Sequence, residues 1–168
     1  MKFRSIMAAL IAGLILVACG SNGSKVSSAT NKPVITGKVG TVNVIVDYDK
    51  IVAERHDTIK KYEVVSRIEN GVKEQLKAQN KYKSGGRVNL KIHLTGFRLR
   101  SGSSAFWLGA MAGKDFASVN VDVIQNGKKV GSYATDAATI LGGIVKPAPS
   151  QRINSVCKEI SKRIVDQI

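Results

Sequence analysis

The chain has 168 residues, 43% of them hydrophobic, and carries 26 Lys and Arg against 12 Asp and Glu, a formal charge of +14. This length suits one domain with its own core. Two cysteines and two histidines, without metal-ligand spacing, give no support to a disulfide framework or a structural zinc site.

Lys2 and Arg4 precede an almost wholly apolar run, residues 6–17. The run is too short for a hydrocarbon core, which needs about 20 residues, and matches the apolar stretch of a signal peptide. It ends on Leu16, Val17, Ala18 and Cys19, with small residues on both sides of the cysteine. These four residues resemble the lipobox of bacterial lipoproteins. The resemblance implies cleavage before Cys19, acylation of Cys19 and attachment to a membrane through its acyl chains. Gly20 in place of an aspartate implies the outer membrane of a Gram-negative host, with the domain facing the periplasm. Removing residues 1–18 takes away Lys2 and Arg4 and no acids, so the charge falls from +14 to +12. Such an excess favours contact with anionic surfaces; for an anchored chain the candidates are anionic lipid, acidic glycan or an envelope protein rather than nucleic acid, and the alternative is a solvated basic surface with no partner. With Cys19 lipidated, Cys157 has no partner within the chain.

Three segments follow: a signal peptide at 1–18, a lipidated cysteine and flexible tether at 19–39, and one domain at 40–168. The tether is rich in Ser, Asn, Thr and Gly and has little to bury. Alternation at Val42, Val44, Val46 and Tyr48 predicts a strand over 41–48. Ile59, Tyr62, Val65, Ile68, Val72 and Leu76 predict one long helix over 58–80, with Asp57 as N-cap. Pairs Glu63–Arg67 and Glu69–Lys73 lie on its wet face, and Gly71 is its weak point. Residues 87–100 alternate again, with a phase shift at Gly96 that predicts a bulge.

Asn126-Gly127 predicts a hairpin of 115–125 with 128–137. Counting outward from Gln125 opposite Lys128 places Val123 opposite Val130, Val121 opposite Ser132 and Val119 opposite Ala134. Gly131 and Tyr133 then fall on the polar side. A closing helix over 150–168, capped by Ser150, carries its stripe through Ile153, Val156, Cys157, Ile160 and Ile164. The order β-α-β-β-β-α predicts an α+β two-layer sandwich. Its sheet has four mostly antiparallel strands, with two helices on one face and a polar open face opposite.

Residues 101–113 hold the only tryptophan. A helical turn with Trp107 as plug is the plain reading, and a partner-binding edge formed by Phe106, Trp107, Leu108, Gly109 and Gly113 is the functional one. A second glycine-bearing apolar stretch, 137–145, packs against it in the first case and extends the exposed patch in the second. A phosphate-binding loop fails here, because three residues separate Gly109 from Gly113 and Asp115 stands where Ser or Thr is needed. Asp47, His93 and Asp122 could meet on the open face. Neither His93 nor His56 has a nucleophile motif around it, however, so no catalytic residue, metal or cofactor is assigned.

Phe97-Arg98, the glycines at 109 and 113, the valine-alternating strand and Asn-Gly-Lys resemble a family of bacterial lipoproteins whose domain has no assigned function. The resemblance spans about residues 40–168. It implies a non-enzymatic envelope domain that binds or supports another component. A periplasmic hydrolase and a structural subunit of an envelope complex are the alternatives.

Overall fold

Alternating valines, leucines and isoleucines build one sheet whose inner face is sealed by two helical stripes. The structure, a computed structural model, describes residues 33–100, 114–139 and 147–168. Strand β1 (Val39–Val46) leads through a 3-10 turn (Ala53–Arg55), α1 (His56–Lys61) and α2 (Val64–Ala78) to β2 (Val88–Arg98). Then come β3 (Asp115–Gln125), β4 (Lys128–Thr139) and α3 (Pro149–Val165). The sheet order is β1-β2-β3-β4, with β1 parallel to β2 and the other pairs antiparallel. This is the expected α+β two-layer architecture.

The core joins Val42, Leu90, Ile92, Val119 and Val121 from the sheet to Ile68, Val72 and Leu76 of α2 and Ile153, Ile160 and Ile164 of α3. Between the helices, a Cβ on Gly71 would sit 2.6 Å from Ser161 Oγ and 3.1 Å from Ser161 Cβ. Gly71 is thus a point of close approach between α2 and α3, not where the helix fails. Helix propensity alone favours Gly71→Ala by about 1 kcal/mol. We expect the clash to prevail and Gly71→Ala to lower stability by about 1–3 kcal/mol in urea unfolding. Adding Ser161→Gly should recover part of that loss.

The predicted single helix is broken. Glu63 takes a left-handed conformation, φ 49° and ψ 41°, between α1 and α2. Five residues of straight helix would put Val64 about 140° around the axis from Ile59. The break lets both be buried. Arg67 Nε donates to the Tyr62 carbonyl (2.7 Å) and its guanidinium also bonds Asn154, so the expected Glu63–Arg67 pair is not formed. Glu69 accepts from the Val44 N–H instead of meeting Lys73 (2.9 Å), shielding the β1 edge. Asp57 sits inside the first turn of α1, after Arg55 as N-cap. Ala148, not Ser150, caps α3, and Gln151 Oε1 accepts from the Ala148 N–H. Tyr48 lies beyond β1 and is exposed.

The hairpin turn pairs Gln125 with Lys128 as expected, but the register slips by one at Val130. Val123 faces Gly131, Val121 faces Tyr133 and Val119 faces Thr135. The bulge turns Val130 outward, 46% exposed, and Tyr133 inward, 5% exposed. Tyr133 and Gly131 therefore join the inner-face rows, correcting their predicted polar-side placement. The phase shift at Gly96 falls where the sequence puts it, between Leu94 and Gly96.

Candidate functional site

Asp115 opens β3 in phase with Ala117, Val119, Val121 and Val123, so its carboxylate points into the apolar layer. It is fully buried. Arg152, in the first turn of α3, donates Nε to Asp115 Oδ2 (2.9 Å) and Nη2 to Oδ1 (2.5 Å). Arg100, just past β2, gives its backbone N–H to Oδ1 (2.9 Å) and its Nη2 to Oδ2 (3.4 Å). Arg152 Nη2 also reaches the Arg100 carbonyl (2.8 Å). Burial pushes the Asp115 carboxyl up, but hydrogen bonds from Arg152 and Arg100 outweigh it and hold the group below the usual carboxylate range. Segment 101–113 leaves and returns beside this cluster. The segment at 140–146 leaves β4 just after Thr139, which pairs with Asp115.

Next to the cluster, on the open side of the sheet, lies a cavity of about 550 Å³. Ile51, Val52, Phe116 and Ala138 supply apolar walls, and Lys50, Arg98 and Lys114 stand around them. Arg98 is held by two hydrogen bonds to the Lys114 carbonyl (3.2 and 2.9 Å). This loop end can receive an apolar group with an anionic neighbour.

On the open face two carboxylates are paired with cations. His93 Nδ1 lies 3.0 Å from Asp47 Oδ1, and Lys50 Nζ lies 2.9 Å from Asp47 Oδ2. Hydrogen bonds from His93 and Lys50 hold the Asp47 carboxyl below its ordinary value. Asp122 does not join them. It faces Lys91 across the β2–β3 ladder and pairs with Lys129 (2.7 Å). His56 Nε2 donates to the Ile51 carbonyl at 2.8 Å, a structural contact. Among the described residues no hydroxyl is bonded to either histidine, and no cluster of potential metal ligands occurs. Cys157 is buried, and burial pushes its thiol up to about 12, as a core residue requires.

Leu16, Val17, Ala18 and Cys19 lie outside the described residues, as do Phe106, Trp107, Leu108, Gly109 and Gly113. The Arg100–Asp115–Arg152 cluster was not singled out from the sequence. Its legible trace is a carboxylate on an inward strand position and an arginine beside the apolar stripe of α3.

Residues 44–143 match the profile of a family described as a domain of unknown function, DUF4410. The chain belongs to this family. The DUF4410 match runs from the middle of β1 past the end of β4 and stops before α3. No curated protein matches the chain. Among solved structures, a Xanthomonas campestris protein of the DUF330 family aligns at 10% identity and TM-score 0.51, over 80% of this chain and 84% of its own. That likeness shows a shared fold. Weaker likenesses include a PelC dodecamer from Paraburkholderia phytofirmans, at 16% identity, TM-score 0.39, and 73% and 84% coverage. A minor lipoprotein from Acinetobacter baumannii aligns at 12% identity, TM-score 0.43, and 77% and 91% coverage.

Proposed function

We propose that this chain is a lipid-anchored envelope lipoprotein that binds or supports another envelope component and carries out no catalysis. The observation that carries the reading is Leu16-Val17-Ala18-Cys19, closing an apolar run too short to span a bilayer. Gly20 after the cysteine favours the outer membrane of a Gram-negative cell, with the domain in the periplasm. Among the described residues no helix is long and apolar enough to cross a membrane, so the acyl chains on Cys19 would hold the protein there.

The geometry of the domain supports a binding role. The chain enters at Pro33, which packs against Gly131 near the β3–β4 turn. The apolar cavity and the roots of 101–113 lie at the other end of the strands. Eleven residues of β3 separate the two ends by about 35 Å. A domain tethered at one end thus offers the other to a partner, with Phe106, Trp107, Leu108, Gly109 and Gly113 as the candidate contact set. Among the described residues, Asp47 and Asp122 of the open face are each paired with a cation and no hydroxyl is bonded to a histidine, which favours this reading over the hydrolase.

Metabolic labelling with a palmitate analogue is expected to tag the wild-type chain and leave Cys19→Ser unlabelled. Equal labelling of both would refute the anchor.

A further inference from the structure

We infer that the end of the domain where the tether enters is a docking face for the anionic phospholipid headgroups of the membrane that holds it. The residues that converge there come from three separate stretches of chain. Lys38 lies just before β1, Lys83 and Arg87 lie between α2 and β2, and Lys128 and Lys129 open β4. Cross-links in the fold fix this convergence. Val88 N–H donates to the Lys38 carbonyl, Lys83 N–H to the Val39 carbonyl, and Asn126 N–H to the Arg87 carbonyl. Gln125, opposite Lys128, exchanges hydrogen bonds with Thr36.

All five cations are exposed. Of these five, only Lys129 forms an ion pair among the described residues, with Asp122, and Lys38 makes a neutral bond to Asn80. Lys81, whose carbonyl accepts from the Val39 N–H, adds a further cation here and donates to the Ile168 oxygen (2.6 Å). The charge of the end is therefore strongly positive.

A recess of about 570 Å³ opens between Lys38 on one side and Lys83 and Arg87 on the other, with Gly85 and Gly86 in its wall. Its dimensions suit a phosphate-bearing headgroup. The two most exposed valines outside the loop end, Val34 (87%) and Val130 (46%), flank the Pro33–Gly131 contact at the same end. Cations ringing small exposed apolar side chains make an interfacial footprint, in which headgroup attraction and shallow apolar insertion add.

Charge alone would fit any polyanion. The tether selects lipid. Thirteen residues, 20–32, separate Cys19 from Pro33, and the tether expected from their composition would reach on the order of 20 Å. The cationic end is thus held within about two or three screening lengths of the bilayer, at a high effective concentration of headgroups. This choice of occupant rests on the proposed anchor; the cationic face does not.

The test uses the mature chain, residues 19–168, with Cys19→Ser, which keeps every described residue and carries no acyl group. Its binding to phosphatidylcholine vesicles containing phosphatidylglycerol is measured by co-sedimentation at low salt. Each cation near an anionic surface changes affinity by about fivefold. The variant Lys38→Gln/Lys83→Gln/Arg87→Gln/Lys128→Gln is expected to bind about a hundredfold or more weakly. A charge-matched variant elsewhere, Lys60→Gln/Lys61→Gln/Lys114→Gln/Lys158→Gln, is expected to lose less than about tenfold by the same reckoning. Circular dichroism establishes that both are folded. Equal losses in the two variants, absence of wild-type binding, or equal binding to pure phosphatidylcholine would each overturn the inference. So would binding to a soluble acidic polysaccharide with none to vesicles. Because this protein has no lipid of its own, the outcome is independent of the palmitate labelling at Cys19.

Discussion

Asp115→Ala is expected to lower the stability of the domain by about 3–5 kcal/mol, a large share of what a domain of this size has. The carboxylate is fully buried between two arginines that are themselves almost wholly buried. Its removal leaves two guanidiniums in the interior without the charge they were folded around. Replacing one partner of a buried pair costs far more than the pair contributes, because the desolvation already incurred is no longer offset. Asp115→Asn keeps the shape and tests the charge alone. The pH dependence has a definite sign. The folded carboxyl is held below its ordinary value, so its contribution is complete above the unfolded carboxylate value of about 4 and disappears as pH falls through the lower folded value. The gap between wild type and Asp115→Asn should therefore be widest near neutrality and narrow below about pH 4. A pH-independent gap in urea titrations would show that the carboxylate is not ionised in the fold.

Tyr133→Ala is the second large effect, expected at about 3–5 kcal/mol. The one-residue bulge at Val130 puts the ring into the layer between sheet and α3, where its hydroxyl donates to the Ile164 carbonyl at 2.8 Å. Burial raises the phenol, so the group remains a protonated donor throughout the physiological range. Tyr133→Phe keeps the ring and removes only that bond, at about 1 kcal/mol. The contrast between the two substitutions reads out the register. Were the hairpin regular, Tyr133 would lie on the open face and both changes would be nearly silent in chemical denaturation.

The same bulge shows where sequence patterning stops. Period-two alternation gave β2 and β3 and the slip at Gly96, because every inward position there but Asp115 is apolar. It failed at β4, where Val130 is exposed and Gly131 carries no side chain to report a phase. A slip of one residue reverses every later side chain. The helix break at Glu63 was hidden for a related reason. Periodicity of apolar residues tolerates a change of axis, and a left-handed glutamate has no compositional mark. Strand order was also beyond reach, since it depends on which long-range pairs close. The buried cluster was half legible: Asp115 violates the inward pattern of β3, but its neutralisation by Arg152 across the fold does not appear in local sequence. The anchor motif was read entirely from residues 16–19, and the candidate contact residues entirely from residues 106–113.

The position of α3 bears on when the domain can fold. The last helix supplies Ile153, Val156, Ile160, Ile164 and Val165 to the core, and Arg152 to Asp115. Until these residues have been made, β3 and β4 have no cover for their inner face, and Asp115 has lost one of its two guanidiniums. Domains fold as units, so a nascent chain that lacks its C-terminal turns has no stable native state to enter. The domain therefore has no stable fold until α3 has been made.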